Sequence, residues 1–152
     1  MTVHLRTVEE LSKVPAHWEL MPEIVKLRNE LSPKTLIIGN GDLKSMEDVE
    51  DKCKLYKNEG FMVGRGIFTN PWMFNKKINQ EDVTIAERID LFKTHIQLFD
   101  KMFGTRRNAE NLKKFCKVYI ANFPDAGLLR EEIMKTKKTK TMLEILTKYK
   151  NN

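Results

Sequence analysis

The chain changes its hydrophobic period once, and that change limits what it can fold into. Before residue 68, short apolar runs closed by glycine alternate with stretches of helical spacing; after it, no strand pattern occurs. Met1–Thr7 is short, β-branched and alternating, and reads as a strand. Pro22–Leu31 places Ile24, Val25, Leu27 and Leu31 at helical spacing. Thr35–Ile38 is a continuous apolar run closed by Gly39, the pattern of a strand buried on both faces. Ser45, with Asp48 three residues on, reads as a helix N-cap in a variant of the capping box. The helix predicted over residues 46–58 carries Val49, Cys53 and Tyr56 on one side, which makes Cys53 a core thiol. Phe61–Val63 is a further apolar run, closed by Gly64. Strands separated by single helices predict parallel pairing through right-handed crossovers.

The second half is helical throughout. Ile85, Ile89, Phe92, Ile96, Phe99 and Phe103 form one stripe ending at Gly104, a residue suited to the position just past a helix end. Leu112, Phe115, Cys116, Tyr119, Ile120 and Phe123 form a second, stopped by Pro124, with Cys116 in the core. Leu128, Leu129 and Ile133 begin a third, and Met142, Ile145, Leu146 and Tyr149 make a fourth. These predict a small helical bundle. The boundary falls in the polar stretch 75–82, giving an α/β domain over residues 1–78 and an all-α domain over 79–152.

Charge follows the same division. Residues 1–78 are near neutral at +1, residues 79–100 carry −3, and residues 101–152 carry +8. Positive charge concentrated in one domain suits a polyanion partner, and it suits a solvated helical surface equally well. Lys113 and Lys117 are expected to share a helix face. No run approaches the roughly 20 apolar residues of a membrane span, and no secretory leader pattern opens the chain. Two cysteines make neither a disulfide framework nor a Cys-rich zinc site, which points to a cytoplasmic setting. His17 reads as a surface residue, and no spacing of His95 with a second ligand frames a metal site.

Two strand ends carry glycine turns: Gly39-Asn40-Gly41-Asp42 and Gly64-Arg65-Gly66. Glycines at the carboxyl end of a parallel strand let the backbone turn sharply and approach a ligand closely. Exposed N–H groups there suit a phosphate, and Arg65 adds a planar cation. Asn70-Pro71-Trp72-Met73-Phe74 fits a short extra helix, with Asn70 as cap and Pro71 at its first position.

These residues carry a resemblance. Thr2-Val3-His4-Leu5-Arg6-Thr7, Ile38-Gly39-Asn40-Gly41-Asp42 and Met62-Val63-Gly64-Arg65-Gly66, running on to Asn70-Pro71-Trp72-Met73-Phe74, resemble in order and spacing the late-barrel motifs of the tRNA-dihydrouridine synthases. The helical half, with Tyr119, Phe123 and Leu129-Arg130, is similar to that family's C-terminal domain. The resemblance implies the last three β/α units of a TIM barrel followed by a tRNA-binding helical bundle. It also implies an oxidoreductase that uses FMN, with NADPH as reductant, to reduce uridine in tRNA to 5,6-dihydrouridine.

By the same resemblance His4 lies beside the flavin and Arg6 near the ligand mouth. Asn40, Gly41 and Asp42 meet the ribityl chain and phosphate, and Gly64 and Arg65 bind the phosphate. Lys113, Lys117 and Arg130 are the tRNA-binding candidates. Leu5 stands where the family usually has a small residue. The family's catalytic cysteine and flavin-contacting lysine have no counterpart here, so no catalytic residue is expected in this chain and turnover by it alone is not expected. Three strands do not close a barrel. The open edge implies a longer gene product, self-association or a decayed copy. Two rival readings stay open at this point: another FMN barrel acting on a small molecule, and a non-catalytic RNA-binding module with a vestigial flavin half-site.

Overall fold

A computed structural model describes residues 1–150, with the side chain of Lys150 left aside. It divides into two units, Met1–Lys77 and Ile78–Asn152. The first holds a parallel sheet of β1 (Thr2–His4), β2 (Ile38–Asn40) and β3 (Gly60–Met62) in that order. The register aligns Val3, Gly39 and Phe61 across the sheet. Helices α1 (Met21–Leu31) and α2 (Met46–Leu55) make the two crossovers. Leu5, Trp18, Met21, Ile37 and Leu43 are buried between helices and sheet. Trp18 organises this core: its ring lies 5.7 Å from Tyr56 and 5.8 Å from Phe61. Its indole N–H donates to the Gly41 carbonyl at 3.0 Å. The aromatic body is thus buried and its one polar atom satisfied.

Four expectations shift in this unit. β2 starts at Ile38, not Thr35, and Leu36 is exposed. The backbone ahead of it is engaged otherwise. The Leu36 carbonyl accepts from the Met1 ammonium at 2.6 Å, and the Ile37 N–H donates to the Glu59 carboxylate at 2.7 Å. In α1 the inward face is Met21, Ile24, Val25 and Arg28, while Leu27 and Leu31 are exposed. Arg28 takes the inward place by donating to the Thr35 carbonyl and to Glu59, both at 2.7 Å.

Cys53, expected in the core, is exposed. Lys52 holds the inward position beside it, with its ammonium 5.2 Å from the Trp18 ring and 5.7 Å from the Tyr56 ring. One residue along a helix is a rotation of about 100°, so a cation–π contact at Lys52 turns Cys53 to solvent. The Ser45–Asp48 capping box forms as read, each side chain bonding the other's backbone N–H at 3.1 Å.

The extra helix expected at Asn70–Phe74 is a pair of hydrogen-bonded turns instead. The Asn70 carboxamide accepts from the Trp72 N–H at 2.9 Å, and the Met73 N–H reaches the Asn70 carbonyl at 3.2 Å. The helical turn in this region lies earlier, as a 3₁₀ segment at Arg65–Phe68 directly after β3.

The second unit holds α3 (Ile85–Phe103), a 3₁₀ segment Ala109–Phe115, then α4 (Cys116–Tyr119), α5 (Ala126–Lys135) and α6 (Thr139–Lys150). α3 opens with a Thr84–Glu87 capping box and stops at Gly104. Ile89, Phe92 and Ile96 from α3 meet Leu129 and Ile133 from α5 and Met142 and Leu146 from α6, all buried in one cluster. Phe92 and Tyr119 stack at 4.8 Å. The second stripe is not one α-helix. Its first part winds at three residues per turn, which brings Leu112 and Phe115 above one another. No helix among the described residues is long and apolar enough to cross a membrane.

Candidate functional site

The three strands end together, and the segments that leave them wall a cavity of ≈ 600 Å³. His4, Arg6, Asn40, Gly41, Asp42, Gly64 and Arg65 all line it, so the structure brings every residue proposed for cofactor contact in the first unit to one place. Ser12, Leu43, Lys44, Gly66 and Thr69 complete the lining. Sequence reasoning did not single these out as contacts, although Gly66 belongs to the second glycine turn and Lys44 lies just past the first. Neither cysteine lines the cavity.

Glycine is required at two points of the wall. Gly41 has φ of 147°, and a Cβ there would fall 2.6 Å from the Ala16 Cβ. A Cβ on Gly66 would collide with the Leu43 carbonyl oxygen and lie 3.0 Å from the Lys44 Cα. The turn after β2 and the turn after β3 therefore touch backbone to backbone.

Arg6 sits in the wall, not at a free mouth. Its side chain is only 4% exposed. It donates from Nε to the Val14 carbonyl at 2.7 Å and from Nη2 to the Asp42 carboxylate. The same Asp42 oxygen accepts from the Ala16 N–H at 2.9 Å. The Arg6 hydrogen bond is the main cause that holds the Asp42 carboxyl below its ordinary pKa, with the Ala16 N–H and the Arg65 charge acting the same way and burial opposing. Asp42 itself is left-handed, at φ of 51°. Asn40 braces β2 against β3 through Nδ2, donating to the Met62 carbonyl at 2.8 Å.

The loop that supplies Val14 and Ala16 is fixed further out. Glu10 accepts from the Thr7 N–H at 2.8 Å, and its other oxygen lies 2.8 Å from His17 Nε2. Glu19 lies 3.0 Å from His17 Nδ1. Hydrogen bonds to Glu10 first and Glu19 second raise the His17 pKa.

Four formal charges face the cavity from Arg6, Asp42, Lys44 and Arg65. Arg6 is paired with Asp42, whereas the exposed Lys44 and Arg65 side chains have no ion pair among the described residues. The wall thus carries a net charge of plus two, with Asp42 as the carboxylate among its lining residues.

In the second unit, Lys117 is exposed on α4. Lys113 is not on a shared α-helical face with it, because Lys113 belongs to the 3₁₀ segment. Its ammonium donates to the Met134 carbonyl at 2.8 Å and to Glu110 at 3.0 Å. Arg130 is half-buried and donates to the Ile120 carbonyl at 2.7 Å. His95 meets the Tyr119 hydroxyl at 3.0 Å, and burial lowers its pKa. Burial raises the Cys116 thiol to about 11.

The family model described as dihydrouridine synthase (Dus) matches residues 1–152. The chain is 39% identical over 150 residues to a Bacillus subtilis (strain 168) protein named probable tRNA-dihydrouridine synthase 2, covering 98% of this chain and 46% of that protein. It is 39% identical over 137 residues to a Staphylococcus aureus (strain MRSA252) probable tRNA-dihydrouridine synthase, covering 90% of this chain and 41% of that one. A Staphylococcus epidermidis (strain ATCC 12228 / FDA PCI 1200) protein of the same name is 35% identical over 150 residues, at 98% and 45%. The chain spans less than half the length of these curated relatives. A match along its whole length, with identities of 35–39%, means that the chain belongs to the dihydrouridine synthase family.

Proposed function

We propose that this chain is the C-terminal portion of a flavin-dependent tRNA-dihydrouridine synthase, in which residues 1–78 are the last three β/α units of a TIM barrel and residues 79–152 bind tRNA. The observation that carries the reading is the cavity. Three parallel strand ends, two glycine turns and two exposed cations, Lys44 and Arg65, converge on one space. Catalytic sites of (β/α)₈ barrels lie at that end of the strands, with phosphate subsites in the late loops. The wall fits the phosphate end of FMN: the required glycines bring backbone close, and the excess charge is positive. Arg65 and the Gly64 backbone would hold the phosphate, Asn40, Gly41 and Asp42 would meet the ribityl chain and phosphate, and His4 would serve the flavin. When bound, FMN supplies hydride chemistry, with NADPH as the source of reducing equivalents.

The chain's own residues bind and orient. Arg6 and Asp42 keep the loop after β1 against the turn after β2, so the wall is already in place when ligand arrives. Neither cysteine lines this cavity, so neither is placed to protonate a uracil carbon held there. Cys116 is buried with its thiol held protonated, and Cys53 is exposed and does not line the cavity. We assign that proton donor to the barrel units that these residues do not include. The outer edges of β1 and β3 are where those units, or a second copy, would pair.

In the helical unit, Lys117 is the cation we assign to tRNA phosphate. Lys113 and Arg130 shape that surface by holding backbone carbonyls. A tRNA substrate agrees with the cytoplasmic setting expected from the cysteine content. The test is incubation of the full-length protein with FMN, NADPH and tRNA lacking dihydrouridine, followed by mass analysis of the tRNA. A gain of two hydrogens on uridine supports the reading; unmodified tRNA alongside active flavin turnover on a small acceptor contradicts it.

A further inference from the structure

We infer that Lys44 is a second phosphate-binding cation, paired with Arg65, and that the two together fit the cavity to a phosphate monoester. This rests on the flavin reading above and adds a residue to it. Lys44 follows the Gly41–Leu43 turn and lines the cavity. Its position is fixed from behind: its backbone N–H donates to the Asp48 carboxylate at 2.8 Å, within the Ser45 capping arrangement. It is fixed from the side as well, because the missing side chain of Gly66 lets the Lys44 Cα pack against the Arg65-Gly66 turn. Two cations from two different strand ends thereby line one cavity.

Charge decides what they suit. Asp42 pairs with Arg6 and also feels the Arg65 charge, and the lining as a whole, with Lys44, carries a net +2. One carboxylate against three cations leaves the lining short of negative charge, and an added anion supplies it. A phosphate monoester carries about −1.5 to −2 near pH 7, which matches the pair. A phosphodiester carries about −1 and leaves one charge unmet. The ammonium is a mobile point charge, whereas the Arg65 fork fixes direction, so the two divide the work of attraction and orientation.

The experiment titrates the full-length protein with FMN, with riboflavin, which lacks the phosphate, and with tRNA. It compares the parent with Lys44→Met and Lys44→Arg. The Lys44 side chain is exposed, so Met removes its charge without opening the core. The expected result is an FMN Kd roughly tenfold weaker in Lys44→Met, the loss of one charge-assisted contact, with riboflavin and tRNA unchanged and Lys44→Arg restored. Equal FMN affinity in parent and Lys44→Met overturns the inference while leaving the flavin reading intact. A parallel loss of FMN and riboflavin overturns it as well, since Lys44 then acts through the fold. Weaker tRNA with FMN unchanged reassigns the cation to nucleic-acid phosphate. A parent that binds riboflavin as tightly as FMN removes the phosphate site altogether.

Discussion

Arg6 and Asp42 form an ion pair that joins the loop after β1 to the turn after β2, and one Asp42 oxygen takes both the Arg6 guanidinium and the Ala16 N–H. The pair is asymmetric. Arg6 has a side chain 4% exposed, and Asp42 one 34% exposed.

That asymmetry sets the first expected outcome. Asp42→Ala leaves a buried guanidinium short of its acceptor, whereas Arg6→Ala leaves a carboxylate that water reaches. Asp42→Ala should therefore cost more, about 1–3 kcal/mol, by urea unfolding. The pair also has a pH signature. Its carboxyl pKa is lowered on folding, so its stabilisation is present above the usual carboxylate range and is lost as pH falls through the lowered value. The wall should be intact at pH 5.

The two mapped histidines should titrate in opposite directions. His17 is raised by Glu10 and Glu19, and its contribution is present below its ordinary value of about 6.5 and lost as pH rises through the raised value. His95 is lowered by burial beside Tyr119, so its contribution is present above about 6.5 and lost as pH falls through the lowered value. Proton shifts of the imidazole rings followed against pH check both; midpoints in the reverse order would contradict the structure.

Gly66→Ala forces a methyl group into the Leu43 carbonyl, so the two turns must separate. Loss of stability together with loss of FMN is expected. Gly127→Ala is the opposite case. Nothing lies within 4 Å of a Cβ there, and the position is in the first turn of α5. It should stabilise the protein by up to about 1 kcal/mol. Thermal unfolding of the two variants separates close backbone approach from simple helix propensity.

Thiol labelling should find one fast site and one protected site. Cys53 is exposed, and Cys116 is fully buried with its thiol raised to about 11. Mass analysis after brief alkylation at pH 8 should show a modified Cys53 peptide and an unmodified Cys116 peptide until denaturant is added.

The strand and helix order was legible in the sequence because glycine closures and hydrophobic period report it directly. Ser45 with Asp48 marked the start of α2 for the same local reason. What escaped depends on long-range partners. Nothing local says that Arg28 and Lys52 take inward positions while Leu31 and Cys53 face out; Glu59 and the Trp18 ring decide that. Likewise the motifs named the turn residues but not the Arg6–Asp42 pairing, which spans 36 residues. Lys44 escaped because its meaning lies in the backbone packing at Gly66.

The central claim is that the cavity at the strand ends holds the flavin phosphate, with Arg65 as its fixed cation. Its most direct measurement is the FMN dissociation constant of the full-length parent and of Arg65→Ala, with tRNA binding and the unfolding midpoint followed in the same samples. A guanidinium–phosphate contact of about 1.5–3 kcal/mol predicts FMN binding weakened roughly ten- to hundredfold, with tRNA affinity and unfolding unchanged. An FMN affinity equal to the parent's would contradict the account.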